Sequence, residues 1–156
     1  MLTSEQDLDS VNQEYREGNA DVCEEEGLAL LVGLAELADE TRSFKFWSAK
    51  GPSEIEVILE EYVDSIHFLL SLGIEKGFDG MSDWPEEEVP GDLTELFLKT
   101  TESIIHFLNE LTIESYENMW IHYVGIAKIL GFKYKNIIDA YILKNEENYK
   151  RQQTGY

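Results

Sequence analysis

The amino-acid sequence predicts an all-α fold, a helical bundle of about five to six helices. Apolar residues recur at helical spacing along most of the 156-residue chain, only three prolines interrupt it, and no Asn-Gly or Asp-Gly turn joins two alternating strands. The chain is 43% hydrophobic, which is enough to build one core. We therefore expect a single domain over residues 1–156.

The helices can be assigned in order from this spacing and from their end signals. We predict one helix in each of six segments: residues 4–17, 21–40, 53–76, 92–111, 113–131 and 134–152. The first segment is polar and predicts a short helix or an ordered arm. Gly91 or Asp92 can cap the fourth helix, and Gly131 suits the end of the fifth. Residues 41–51 and 77–90 have the composition of loops.

The charge of the chain limits its partners. There are 32 acidic residues against 12 basic ones, a formal net charge of −20. Such a surface repels nucleic-acid polymers and anionic membranes, but a divalent cation could still bridge carboxylates to a nucleotide. No signal peptide or membrane-spanning run is visible, and the one cysteine, Cys23, suits a reducing compartment. We expect a cytoplasmic protein.

Two carboxylates stand alone in apolar surroundings. Glu36 is the only charged residue in residues 27–38, and Asp64 is the only acid in residues 62–74. A helix that is apolar on nearly every side is expected to be buried on nearly every side. An ionised carboxylate buried there must be paired, hydrogen-bonded or bound to a metal ion.

Each of these acids has an acidic neighbour on the same helix face. Glu40 follows Glu36 by four residues, and Glu61 precedes Asp64 by three. If the two helices pack face to face, four carboxylates converge, which is the all-oxygen set that Mg²⁺ or Mn²⁺ prefers. The alternative is that the two lone acids lie at helix margins and pair with nearby cations: Arg42, Lys45 or Lys50.

The histidines and the cysteine offer weaker candidates. His67 lies three residues beyond Asp64 and is either a partner of the site or a structural residue. His106 and His122 are expected in the core, and no zinc motif is present. Cys23 precedes three glutamates, which raise the pKa of a thiol, so it is a poor nucleophile.

Two segments depart from the acidic trend. Residues 41–50 combine cations with aromatic rings, and residues 133–151 are rich in lysine. Aromatic rings beside cations can stack on a base and hold phosphates. The alternatives are ordinary core packing for the first segment and a solvated, ion-paired helix face for the second.

Three separated runs of the chain resemble one known family. They are LALLVGLAELADETRSFKFWS, EEYVDSIHFLLSLGIEKGFD and IIDAYILKNEENYKRQQTGY. Together they resemble the dimeric dUTP diphosphatases (dUTPases), which belong to the all-α nucleoside triphosphate pyrophosphatase (MazG-like) superfamily. The resemblance covers most of residues 25–156.

The family motif consists of two carboxylate pairs, E-x-x-E and then E-x-x-D, that hold Mg²⁺. Glu61 and Asp64 match the second pair, and Glu36 matches the second Glu of the first pair. The first Glu falls on Gly33, which has no side chain to bind a metal ion. Either Glu40 or Asp39 substitutes for it, or metal binding is weakened, or catalysis is impaired.

The resemblance implies Mg²⁺-dependent hydrolysis of dUTP to dUMP and pyrophosphate, which controls the dUTP pool, by a homodimer. It implies catalytic roles for Glu36, Glu61 and Asp64, with Glu40 added to them as a metal ligand and with Mn²⁺ as a possible replacement for Mg²⁺. The implied substrate-binding residues are Lys45, Trp47, Lys144, Asn148 and Arg151, and polar residues such as Gln6 and Asn12 would read the uracil.

Three alternatives remain open from the sequence. A family member impaired by Gly33 would bind nucleotide without turnover. A related pyrophosphatase would act on deoxynucleoside triphosphates with another base. An acidic helical adaptor would have no nucleotide site at all.

Overall fold

A computed structural model describes residues 21–78 and 84–154. Within these ranges the chain forms five α-helices and no strands: α1 (Cys23–Thr41), α2 (Ile55–Lys76), α3 (Leu93–Glu110), α4 (Ile113–Leu130) and α5 (Tyr134–Gln153). The all-α prediction is confirmed, and the last five predicted helices match these to within a few residues. The predicted segment at residues 4–17 lies outside the described ranges.

The helix ends follow local chemistry. The Asp92 carboxylate accepts a hydrogen bond from the Glu95 backbone N–H at 2.9 Å, which caps α3. Thr112 accepts from the Ser115 backbone N–H at 3.1 Å in the same way and starts α4. Gly131 ends α4 with a φ of 82°, a left-handed conformation that glycine adopts without strain.

Helix α2 is the central element of the bundle. It packs against α1, α4 and α5, while α3 packs against α1 and α4. The core between them is made of large apolar side chains, among them Trp120, Tyr62, Tyr123 and Phe107, all fully buried. Among the described helices, none is both long enough and apolar enough to cross a membrane.

Candidate functional site

A cleft of about 700 Å³ opens between α1, α2 and α5. The polar residues that line it include most of the candidates from the sequence. They are Glu25, Glu36, Asp64, Ser65, His67, Tyr141, Lys144, Asn145, Asn148 and Arg151, and Gly33 lies among them. Acids from α1 and α2 therefore share one cleft with the cations and amides of α5. A volume of this size suits a small-molecule ligand.

The Glu61 carboxyl group lies in an acidic environment. Burial raises its pKa, and the negative charges of Asp64, Glu36 and Glu40 raise it further. Glu61 is not among the residues that line the cleft, but its charge interacts with those of the cleft acids. These are the four carboxylates predicted to converge, and each of the other three makes ionisation of Glu61 more costly.

Replacing Glu61 with Gln is expected to stabilise the metal-free protein at neutral pH. Because the folded-state pKa is raised, ionised Glu61 destabilises the folded state; this contribution is absent while the group is protonated and grows as pH rises above the ordinary value of 4.5. We expect the melting temperature of Glu61→Gln to exceed that of the wild type by a margin that widens as pH rises above about 4.5 and becomes constant once Glu61 is ionised in the folded protein. Scanning calorimetry from about pH 4 to about pH 8 measures it. Glu117→Gln, at an exposed acid on α4, is the control, and a margin independent of pH would contradict the prediction.

Asp64 has a cationic partner on α5. The Lys144 ammonium donates to Glu60 Oε1 at 2.9 Å and lies 3.5 Å from Asp64 Oδ1. Burial raises the pKa of Asp64, and the charge of Lys144 opposes that effect. The hydrogen bond to Glu60 raises the pKa of Lys144. A cation from α5 therefore already neutralises part of the negative charge of Glu60 and Asp64.

The predicted partners of the lone acids are therefore wrong for Asp64. Lys45 forms an ion pair with Asp39, and Arg42 donates to the Lys50 carbonyl at 2.9 Å. These contacts join the end of α1 and the loop that follows it. The three cations lie close to the lone acids in the sequence. The partner of Asp64 is instead Lys144 on α5, eighty residues later in the chain.

Glu36 is exposed, and the expectation that it is buried was wrong. It lines the cleft from α1, a helix whose Leu28 is 62% exposed and whose Val32 is 50% exposed. An apolar sequence all around a helix predicts burial all around. One face of α1 is nevertheless left uncovered by the other described helices. Asp64, in contrast, is half-buried as its surroundings predicted.

The donor set fits a hard divalent cation, since it consists of carboxylates that repel one another. In the described part of the chain, no group of three or more His, Cys, Asp or Glu side chains is close enough to hold one ion as it stands. The two residues considered as substitutes at Gly33 are engaged elsewhere. Asp39 pairs with Lys45, which lowers the pKa of Asp39, and Glu40 accepts a hydrogen bond from the Ser53 hydroxyl.

The aromatic loop after α1 is a surface feature. Phe46 is 92% exposed and Trp47 is 66% exposed, with their rings in edge-to-face contact at 5.2 Å. The alternative of ordinary core packing is therefore wrong for these two rings. Neither Lys45 nor Trp47 is among the residues that line the cleft.

Helix α5 presents its polar residues to the cleft at helical spacing. Lys144, Asn148 and Arg151 recur every three to four residues and all line it. The sequence reasoning missed Asn145, which is only 6% exposed. Its Nδ2 has no hydrogen-bond partner within the described ranges. Asn145 belongs to the run that carried the resemblance, but nothing in the sequence showed that it is buried against the cleft.

The remaining candidates divide as follows. His67 lines the cleft beside Phe68. The prediction that His106 and His122 are core residues is wrong, because His106 is exposed and His122 is partly exposed. Cys23 is buried, and burial raises its thiol pKa, which confirms a poor nucleophile. Gln6 and Asn12 lie outside the described residues.

The described helices enclose a cleft that has acids from α1 and α2 on one side and cations and amides from α5 on the other, so the chain is an all-α protein with a candidate small-molecule site. The family model described as dUTPase matches residues 1–156, so the chain belongs to the dUTPase family. Its activity is the hydrolysis of dUTP by a dUTP diphosphatase, in a family that generally uses a divalent metal ion. No curated protein matches the chain.

Proposed function

We propose that the chain hydrolyses dUTP to dUMP and pyrophosphate at the cleft between α1, α2 and α5, with Mg²⁺ as the working cation. The observation that supports this is the placement of Glu36 and Asp64 opposite Lys144, Asn148 and Arg151 in one cleft. A triphosphate carries several negative charges and needs cations on both sides. Carboxylates bind the metal on one side, and the α5 cations bind phosphate oxygens on the other.

Glu36 and Asp64 would hold the cation from the cleft through carboxylate oxygens, and Glu61 and Glu40 would join them, Glu40 by giving up its contact with Ser53. Mn²⁺ would bind the same oxygens. When bound, Mg²⁺ would supply positive charge that offsets the negative charge of the triphosphate, and it would lower the pKa of the attacking water. Glu36 is our candidate to orient that water and take its proton, because its carboxylate lines the cleft and is accessible. The reaction adds one water molecule across the bond between the α- and β-phosphates.

Helix α5 would hold the outer phosphates. Arg151 offers a planar fork of donors for phosphate oxygens, and Asn148 offers an amide beside it. Lys144 would exchange part of its contact with Glu60 and Asp64 for a phosphate oxygen when the metal ion neutralises those acids. Asn145 Nδ2, a buried donor without a partner in the described ranges, would gain one in the bound state.

The exposed surfaces favour a homodimer that completes the site. Exposed apolar side chains lie on α1, α3 and α5: Leu28, Val32, Leu98, Ile105 and Leu143. A second copy would cover such faces. Lys45 and Trp47 would then bind nucleotide in the partner's cleft, with Trp47 packed on the uracil or deoxyribose. Residues Gln6 and Asn12 would contribute to uracil recognition.

Residues 1–156 would act as one domain of the dUTPase type. Its place of action would be the cytoplasm, where it would keep the dUTP pool low. The acidic surface is compatible with a small nucleotide carried with its cation, and no nucleic-acid polymer or membrane is proposed as a partner.

Pyrophosphate release from dUTP, dCTP and dTTP tests this function directly. We expect dUTP to be turned over at least about tenfold faster than the others with Mg²⁺, and turnover to stop when EDTA removes the metal and to return with Mg²⁺ or Mn²⁺. Equal rates on all three nucleotides would indicate a pyrophosphatase of other base choice. Binding of dUTP without turnover would indicate an impaired family member. No thermal shift with dUTP and Mg²⁺ would support the acidic adaptor.

A further inference from the structure

Gly33 lies in direct contact with Ser65. An ideal Cβ built on Gly33 would lie 2.5 Å from Ser65 Oγ and 3.7 Å from Ser65 Cβ. The first distance is far too short for two such atoms, while the second is an ordinary contact. The hydroxyl of Ser65 therefore fills the space that a side chain at position 33 would need. The rest of the serine side chain does not.

The Ser65 hydroxyl is a buried polar group at the cleft. Ser65 is 0% exposed, yet it lines the cleft, and its Oγ has no partner at ordinary hydrogen-bond geometry among the described residues. Burial raises the pKa of the Tyr123 phenol, and a longer hydrogen-bonding interaction of Ser65 with Tyr123 lowers it. The Tyr123 hydroxyl donates its own proton to the Tyr62 carbonyl. A buried hydroxyl without a good partner is costly and needs an explanation.

The two positions occupy the same part of the site. Gly33 precedes Glu36 by one helical turn on the cleft side of α1, and Ser65 directly follows Asp64 on α2. Position 33 therefore gives the cleft no functional group from α1. A neutral hydroxyl from α2 lies in the space where such a group would begin.

We propose that Ser65 is a positioning residue of the nucleotide site and forms an exchangeable pair with Gly33. This inference rests on the proposed function. The Ser65 hydroxyl binds a water molecule in the hydration shell of the bound divalent cation, and it does so where α1 offers only a glycine. A carboxylate at position 33 would contribute the same polar function with greater cation affinity, but its Cβ requires the Ser65 hydroxyl to leave its present position.

Mn²⁺ binding to the full-length protein without nucleotide tests the first half of the proposal. The free ion is measured by electron paramagnetic resonance, together with the melting temperature of each variant. Ser65→Ala is expected to weaken Mn²⁺ binding about fivefold while the melting temperature of the metal-free protein stays the same or rises. Ser103→Ala is the matched control, since that buried helical hydroxyl donates to the Thr100 carbonyl at 2.9 Å. It should lower the melting temperature and leave Mn²⁺ binding unchanged.

The double variant tests the second half. Gly33→Glu alone is expected to lower the melting temperature, because its Cβ meets Ser65 Oγ. In the Ser65→Ala background the same change meets only Cβ at an ordinary distance, so Gly33→Glu/Ser65→Ala should recover stability. It should also bind Mn²⁺ at least about tenfold more tightly than the wild type, through the added carboxylate. The effects of the two substitutions are then not additive.

The possible outcomes separate this inference from the proposed function. If Ser65→Ala lowers the melting temperature and keeps wild-type Mn²⁺ affinity, Ser65 is a structural partner of Tyr123 and the inference is wrong. Additive effects of the two substitutions would overturn the pairing. In both cases wild-type turnover of dUTP with Mg²⁺ would leave the proposed function standing. If neither the wild type nor the double variant binds Mn²⁺, the proposed metal site fails and the inference fails with it.

Discussion

Asp64→Asn is expected to abolish Mg²⁺-dependent hydrolysis of dUTP, with kcat/KM falling by at least about 10³-fold, or roughly 4 kcal/mol of transition-state stabilisation. The substitution keeps the shape of the side chain but removes the charge that would bind the cation. Asp64 is half-buried between α1 and α5, and no other carboxylate of α2 lines the cleft. Steady-state kinetics at saturating Mg²⁺ measure the loss.

The fold should survive this change. Burial raises the pKa of Asp64, so its ionised form costs free energy that Lys144 only partly offsets. The melting temperature of metal-free Asp64→Asn should therefore remain close to the wild-type value or rise. Asp139→Asn, at an exposed acid of α5, is the control and should keep full activity. Wild-type activity in Asp64→Asn would show that the metal assignment is wrong.

The fold was predictable because its signals are local. The Asp92 carboxylate and the Glu95 side chain form a capping box within one helical turn, and Gly131 ends α4 by its own conformational freedom. The acid pair of Glu61 and Asp64 is also local, since a spacing of three residues places both on neighbouring positions of one helix. Such features need no knowledge of how the helices pack.

The remaining features depend on packing between helices that are distant in sequence. The ion pair of Lys144 with Asp64 and the contact of Gly33 with Ser65 are set by how α5 and α1 are rotated against α2. Apolar residues all around α1 indicated complete burial, but composition does not say which face remains uncovered. Val32 and Glu36 lie on the face that the other described helices leave open. A homodimer would explain why apolar residues were placed there.

Tyr123→Ala is expected to be among the most destabilising single substitutions in the core, at about 3–5 kcal/mol. Tyr62 on α2 and Tyr123 on α4 are both fully buried, and their rings stack 4.3 Å apart at an angle of 13°. The Tyr62 hydroxyl donates to the Tyr123 carbonyl at 2.8 Å, and the Tyr123 hydroxyl donates to the Tyr62 carbonyl. Truncation removes the stacked ring and leaves the Tyr62 hydroxyl beside a cavity.

One further variant isolates the contribution of the Tyr123 hydroxyl, and a second is a control at an exposed tyrosine. Tyr123→Phe keeps the ring and removes only its hydroxyl, so it should cost about 1 kcal/mol, the typical net value of one hydrogen bond. Tyr149→Ala, at a residue that is 45% exposed, should change the free energy of unfolding by less than about 0.5 kcal/mol. Urea unfolding measures all three. Tyr62 directly follows Glu61 and lies two residues before Asp64, so we expect loss of the stacked pair to shift these two acids of α2. Tyr123→Ala should therefore weaken Mn²⁺ binding under conditions where it remains folded, and a cost below about 1 kcal/mol would contradict the packing of α2 on α4.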